Sequence, residues 1–280
     1  MTIWIALFLG LVQGIAEFLP ISSSGHLAIL QNLMNMDDYA DAHLLFNVLL
    51  HLATLLSISV VYWKEIKEML SDAMEYIHSR GDSVAGEPVV LKPPARMLLF
   101  ILIGTLPLFL ALIFSGSIAR LFANTAFVGF AICVTGGLLF VSDKYIKRGS
   151  KTEKTMQLSD AIIIGLAQCV ATLPGMSRSG TTITVGLARG FSSGFSVKFS
   201  LLLSIPAVLG ATIVSLYRAI TGDTDFSSFG IFFAGFVVAA VVGFFAIQFL
   251  RRLLKKGGFG YIPFYCFIVG GVTLIISLIF

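Results

Sequence analysis

Residues Gly10 to His26 read G-L-V-Q-G-I-A-E-F-L-P-I-S-S-S-G-H, and the fold turns on how this stretch is read. An apolar run is broken in its middle by Pro20, three serines and Gly25. That is the mark of a helix that enters a membrane and stops partway. A second stretch has the same build: Gly165 to Thr181 reads G-L-A-Q-C-V-A-T-L-P-G-M-S-R-S-G-T. Aligned without a gap, Gly10 falls on Gly165, Leu11 on Leu166, Gln13 on Gln168 and Ala16 on Ala171. Further along, Ser22 falls on Ser177, Ser24 on Ser179 and Gly25 on Gly180.

The surrounding composition places these stretches in a bilayer. The 280 residues are 57% hydrophobic and only 12% charged, with a mean hydropathy of +0.94. An ordinary soluble domain carries about twice that charge, so the chain reads as a polytopic, all-α integral membrane protein. A net charge of +4 could suit nucleic acid. The basic residues sit in short loops between apolar runs, however, where they act as topology signals, and nucleic acid is not an expected partner. Cys133, Cys169 and Cys266 lie inside apolar segments without metal-like spacing and read as small buried residues with no disulfide framework. The first run lacks a basic leader and flows into the polar motif, so no cleaved signal peptide is expected.

A spanning helix needs about 20 mostly apolar residues. Six stretches meet that length, roughly 44–63, 96–115, 123–142, 196–217, 229–250 and 259–279. Regions 1–36 and 159–190 do not, because a polar break falls near the middle of each. Irregular backbone is excluded from lipid, so each break must be buried in protein or line a wet cavity. The simplest form for each is a re-entrant helical hairpin.

Lysine and arginine set the orientation. Loop 64–95 carries Lys64, Lys67, Arg80 and Lys92; loop 143–158 carries Lys144, Lys147, Arg148, Lys151 and Lys154. The turn after residue 250 carries Arg251, Arg252, Lys255 and Lys256. The opposite loops hold Asp37, Asp38, Asp41, Asp223 and Asp225. The positive-inside rule puts the basic set in the cytoplasm and both termini outside. Each half is then one hairpin plus three spans, and the odd count inverts the halves relative to each other. Repeat 1 covers about 1–142, a cytoplasmic linker 143–158, and repeat 2 about 159–280. The two polar tips are expected to meet inside the membrane, as in inverted-repeat transporters. Loop 64–95, with Gly81, Gly86, Pro88, Pro93 and Pro94, reads as an amphipathic stub plus linker.

Ionisable groups at membrane depth are costly and need a reason. The candidates are Glu17, His26, His51 and Arg178, whereas Arg189 and Lys198 lie near segment ends and are expected to reach the cytoplasmic interface. Gln13 and Glu17 share a helix face. Ser22, Ser23 and Ser24 sit at the turn and can cap the returning helix. Arg178 stands between Ser177 and Ser179, with Thr181 and Thr182 just beyond. Two helix N-termini, an arginine and several hydroxyls suit a phosphate group. A carboxylate beside them points to a divalent cation or to proton handling, and a histidine with serines supplies a nucleophile and an acid or base. Phosphate-ester or pyrophosphate chemistry follows, with transport of a lipid phosphate as the alternative. Plainer roles stand beside these: close packing for Ser22, Ser24 and Ser179, an interhelical hydrogen bond for His51, and a helix cap for Thr181.

The string Q-G-I-A-E-F-L-P-I-S-S-S-G-H from Gln13 to His26, and P-G-M-S-R-S-G-T-T from Pro174 to Thr182, resemble the two signature motifs of undecaprenyl-diphosphate phosphatases, the bacitracin-resistance proteins. F-N-V-L-L-H-L-A-T from Phe46 to Thr54 resembles a third family stretch. The likeness runs through the whole chain in length and segment order. It implies hydrolysis of a polyprenyl diphosphate lipid to the monophosphate, which recycles the carrier for peptidoglycan synthesis. It also implies a bacterial plasma-membrane location, an active site facing outward, and a divalent cation, Mg2+ or Ca2+; a homodimer stands as a further expectation. Carried over by position, Glu17 matches the second acid of an (E/Q)-x-x-x-E motif and the implied metal ligand. Gln13 takes the motif's first place. Ser23 and His26 match the proposed nucleophile region, and Arg178 the phosphate-binding arginine. Gln13, Ser22, Ser24, Ser177, Ser179 and Thr182 are the accompanying substrate-binding candidates. Because Gln13 replaces a glutamate, the site has one carboxylate fewer for a metal.

Overall fold

The computed structural model describes residues 1–33, 40–82, 91–147, 149–221 and 229–279. They form helices and connecting turns, with one isolated backbone bridge between Lys151 and Phe191. The two broken regions are indeed short helices. α1 (Ile3–Ala16) starts where the Thr2 side chain accepts from the Ile5 N–H, and it stops at Glu17, shortly before Pro20. α2 (Ser23–Leu33) follows the turn. In the second half, α9 (Leu158–Val170) and α10 (Arg178–Ala188) repeat this build. Neither α1 nor α9 is long enough to cross a bilayer.

Five helical stretches are long and apolar enough to cross: Pro93–Ile113, Thr125–Tyr145, Ser193–Tyr217, Phe229–Lys255 and Ile262–Ile279. They correspond to five of the six expected spans. The sixth, α3 (Ala40–Val61), runs into α4 (Trp63–Asp82) through a 78° bend. α4 is the expected amphipathic stub, extended to a full 20 residues. It buries Met69 and exposes Trp63, Leu70, Met74 and Ile77. The expected span 96–115 differs in detail. It starts at Pro93 and breaks after Thr105 into α5 (Pro93–Thr105) and α6 (Leu108–Ile113), because Pro107 cannot donate into the helix ladder. A short α7 (Ser115–Phe122) leads into α8 (Thr125–Tyr145). The last helices are α11 (Ser193–Thr221), α12 (Phe229–Lys255) and α13 (Ile262–Ile279). Of the residues used above for orientation and the linker, Asp37, Asp38, Gly86, Pro88, Arg148, Asp223 and Asp225 lie outside the described residues, as do the side chains of Asp41 and Arg80.

Glycine sets how closely the helices approach, since lipid gives no hydrophobic drive and backbone contact does the work. A Cβ at Gly10 on α1 would lie 2.4 Å from the Gly235 carbonyl oxygen on α12. A Cβ at the matched Gly165 on α9 would lie 2.3 Å from the Gly104 carbonyl on α5. α8 and α13 meet in the same way at Gly129 and Gly270.

Arg189 and Lys198, near their segment ends, are both ion-paired. Arg189 donates to Asp160 at 2.8 Å and Lys198 to Glu153 at 2.9 Å, because carboxylates stand within their reach. Asp160, fully buried, also accepts from Lys151. Lys151 and Glu153 thus tie the linker 143–158 to Asp160 at the start of the next helix and to Lys198, and Asp160 joins the same cluster to Arg189. Among the cysteines only Cys266 is buried; Cys133 and Cys169 are partly exposed, and all three are free.

Candidate active site

Both polar turns build a helix start in the same manner. At α2 the Ser22 hydroxyl accepts from the Gly25 N–H at 3.2 Å; at α10 the Ser177 hydroxyl accepts from the Gly180 N–H at 3.1 Å. Each satisfies a donor that a helix leaves orphaned. A second serine flanks each cap, with Ser24 3.4 Å from Ser22 and Ser179 3.3 Å from Ser177. The turns face each other. A Cβ at Gly25 would come 3.1 Å from the Gly175 Cα, and one at Gly180 would come 3.0 Å from the Pro20 side chain. The second turn is anchored on the middle of α8: Thr135 donates to the Gly175 carbonyl and accepts from the Ser177 N–H.

Glu17 is the centre of the site. It caps α1 and its side chain is only 5% exposed. Arg178, the first residue of α10, makes a short ion-paired hydrogen bond to Oε1. The Ser23 hydroxyl donates to Oε2 at 2.7 Å, and the Gln13 amide donates to the same oxygen at 3.2 Å. Three residues singled out in the sequence, Gln13, Ser23 and Arg178, drawn from both hairpins, thus converge on the carboxylate of a fourth. A carboxylate at this depth would be expensive unpaired, and Arg178 offsets that cost.

The remaining candidates take other places. His26 donates from Nδ1 to the Ser22 carbonyl at 2.7 Å, and its Nε2 lies 2.8 Å from the Tyr265 hydroxyl. Both ring nitrogens are therefore engaged away from Ser23. Thr182 is buried; its hydroxyl donates to the Arg178 carbonyl at 2.8 Å and lies 2.5 Å from the Ser200 hydroxyl. His51 bonds the Asn47 carbonyl of its own helix through Nδ1, and lies within electrostatic reach of Glu17. Thr181 does not cap α10, since Ser177 does; its hydroxyl is buried with no partner among the described residues.

A cleft beside the ion pair is lined by Glu17, Phe18, Arg178 and Ser179, and by Ser200 and Ser204 from α11. Sequence reasoning missed the two α11 serines and Tyr265. The only available signal for the serines was their four-residue spacing, which puts them on one helix face.

The implied divalent cation can be tested against these donors. Among the described residues no three His, Cys, Asp or Glu side chains converge on one point. The Glu17 oxygens already accept from a guanidinium, a hydroxyl and an amide, which are the surroundings of a carboxylate without a metal. The buried Gln13 Oε1 has no partner among the described residues. A divalent cation asks for six or more oxygen ligands. These residues do not fit a ready-made cation site.

The family and the relatives agree with one another. Residues 6–272 match the family model described as bacitracin resistance protein BacA. An undecaprenyl-diphosphatase of Alkaliphilus metalliredigens is 37% identical over 282 residues, with all of both chains covered. One of Halothermothrix orenii is 34% identical over the full length of both. Another, from Methanosphaera stadtmanae, is 34% identical over 280 residues, covering 98% of each. With the match running through both hairpins and nearly every span between and after them, the chain belongs to the bacitracin resistance protein BacA family.

Proposed function

We propose that the chain hydrolyses undecaprenyl diphosphate to undecaprenyl phosphate and inorganic phosphate. The observation that carries the mechanism is the 2.7 Å hydrogen bond from Ser23 to Glu17, on a carboxylate that also holds Arg178. A serine whose proton is already directed at a carboxylate is a nucleophile paired with its base. A guanidinium has five donors, and the single bond to Glu17 leaves others for phosphate oxygens. The N-termini of α2 and α10 add backbone dipoles of the sign that favours an anion.

In this reading the terminal phosphate sits between Arg178 and the two turns. As the phosphate takes over the Arg178 donors, Glu17 is left to accept the Ser23 proton. The Ser23 oxygen bonds to the terminal phosphorus while the bond from that phosphorus to the bridging oxygen breaks. That oxygen leaves with the lipid as the monophosphate. Water then attacks the phosphoserine, inorganic phosphate departs, and the proton returns to Ser23. No step is routed through a metal.

The halves are read as an inverted repeat around this site, opening to the outer face. Supporting it, α1 packs on α12 and α9 on α5 through matched glycines, each hairpin against the other half. The product would return the lipid carrier to cell-wall synthesis.

The test is direct. Purified protein in detergent, given undecaprenyl diphosphate labelled in the terminal phosphate, should release labelled phosphate and yield a labelled serine on acid quench. A label on histidine, or none, would move the nucleophile away from Ser23. A lipid flippase would move the lipid across vesicles and release no phosphate at all.

A further inference from the structure

The His26 ring is held at both nitrogens, and the second partner comes from the far end of the chain. The Ser22 carbonyl can only accept, so the Nδ1 that lies 2.7 Å from it carries the proton. In the neutral ring Nε2 then has the lone pair, and the Tyr265 hydroxyl at 2.8 Å donates to it. The two rings also stack, with centroids 5.7 Å apart and planes 5° from parallel. Position, plane and tautomer are thus all fixed by two neighbours.

Tyr265 is itself held at the correct level. α13 lies against α8 so closely that a Cβ at Gly136 would fall 2.9 Å from the Pro263 carbonyl and 3.1 Å from the Cys266 Cβ. The adjacent Cys266 thiol reaches the Pro20 carbonyl at 3.7 Å, tying this turn of α13 to the first hairpin. A phenol, unlike the Ser22 carbonyl that holds Nδ1, both donates and accepts. If Nε2 gains a proton, it donates to the Tyr265 oxygen, and neither hydrogen bond of the ring is lost. The pair therefore tolerates a change of protonation without moving.

We propose that Tyr265 is a positioning residue for His26, fixing the tautomer with Nδ1 protonated so that the imidazole gains and releases its proton at Nε2 through the Tyr265 hydroxyl. This rests on the proposed hydrolysis, to which it adds a role for His26 in proton transfer. A packing role alone would need the ring and not the hydroxyl, and Tyr265→Phe separates the two.

The experiment uses the full chain in detergent, with 15N-labelled histidine and His26 identified by the loss of its signals in His26→Gln. Wild type should show a protonated Nδ1 and a hydrogen-bonded, unprotonated Nε2. Tyr265→Phe should shift the Nε2 resonance. It should also lower kcat for phosphate release by roughly tenfold, the size of one lost hydrogen bond, with KM unchanged. An unchanged Nε2 signal would overturn the bond. A shifted signal with an unchanged kcat would overturn the positioning role. Wild type that releases no phosphate would sink the phosphatase reading, and the catalytic use of the pair with it, while the spectrum still judged the pair itself.

Discussion

The two hairpins share one frame and divide the chemistry between them. Ser22 and Ser177 cap their helices on Gly25 and Gly180 at nearly equal distances, and each carries a serine two residues on. Within that frame the matched side chains diverge. Glu17 stands where the second copy has Thr172, Ser23 where it has Arg178, and His26 where it has Thr181. The first hairpin supplies an anion, a hydroxyl and an imidazole; the second supplies the cation. A duplicated helix start gives two N-termini of like form, and the charges make the two copies unequal. Neither half is a site alone.

The largest effects should follow from that inequality. Ser23→Ala, Glu17→Ala and Arg178→Ala should each lower phosphate release on the order of 10³-fold, as expected when a nucleophile, base or charge stabiliser is removed. Thr172→Ala, at the position matched to Glu17, should stay near the wild-type rate. If it were as damaging as Glu17→Ala, the division of labour would be wrong. Stability should report the pair separately. Arg178→Ala leaves a buried carboxylate uncompensated, at a cost of about 3–5 kcal/mol, and the Glu17→Ala/Arg178→Ala double variant should recover part of it.

Why these residues were legible is a matter of solvent. In a chain so apolar, a charge within a broken helix has few explanations, so Glu17 and Arg178 stood out and the repeat joined them. Tyr265, Ser200, Ser204 and Thr135 did not stand out. Each is a neutral polar residue in an apolar helix, and for Tyr265, Ser200 and Thr135 the partner lies in another segment. The partners of Arg189 and Lys198 were hidden for the same reason, since Asp160 and Glu153 lie in other segments. Hydropathy located the spans, but the 78° bend after Val61 falls inside an unbroken apolar and amphipathic run that composition does not interrupt. Pro107 was visible, yet membrane helices tolerate proline, so its presence alone did not mark the break.

Glycine packing offers the next test of how alike the halves are. Gly10→Ala and Gly165→Ala each drive a methyl into a carbonyl oxygen closer than 3 Å, at Gly235 and Gly104 respectively. Both should lower the thermal midpoint in detergent by amounts equivalent to about 1–3 kcal/mol, the usual cost of overpacking. Similar losses would strengthen the inverted-repeat reading. A loss at one glycine only would weaken it.

Gln13→Glu probes the cation at a smaller scale. It would place a second carboxylate 3–4 Å from the first, roughly, where like charges cannot both ionise without a counter-ion. Phosphate release in chelator should fall roughly tenfold, the equivalent of one pKa unit, and Mg2+ or Ca2+ should restore it, with a shallower dependence in the wild type. An equally steep dependence in the wild type would mean that Gln13 Oε1 already serves as a ligand, contrary to the fit described above.

The smallest expected difference is the most specific to the two turns. Each needs a left-handed residue, but at different places. In the second turn it is Gly175, with φ of 89° directly after Pro174. The first turn has Pro20 at the position matched to Gly175, and proline cannot take a positive φ. The left-handed residue there is Ser22 itself, with φ of 73°, a conformation costing a non-glycine residue about 1 kcal/mol or more. Ser22→Gly relieves that strain while losing a cap, and replacing a capping serine by glycine costs only a few tenths of a kcal/mol. Ser177→Gly loses the cap with no strain to relieve, since Ser177 sits at φ of −81°. Thermal unfolding should therefore show Ser22→Gly as neutral to stabilising and Ser177→Gly as mildly destabilising. Equal losses at both would mean that the Ser22 turn carries no strain, and that the two helix starts are equivalent in energy as well as in form.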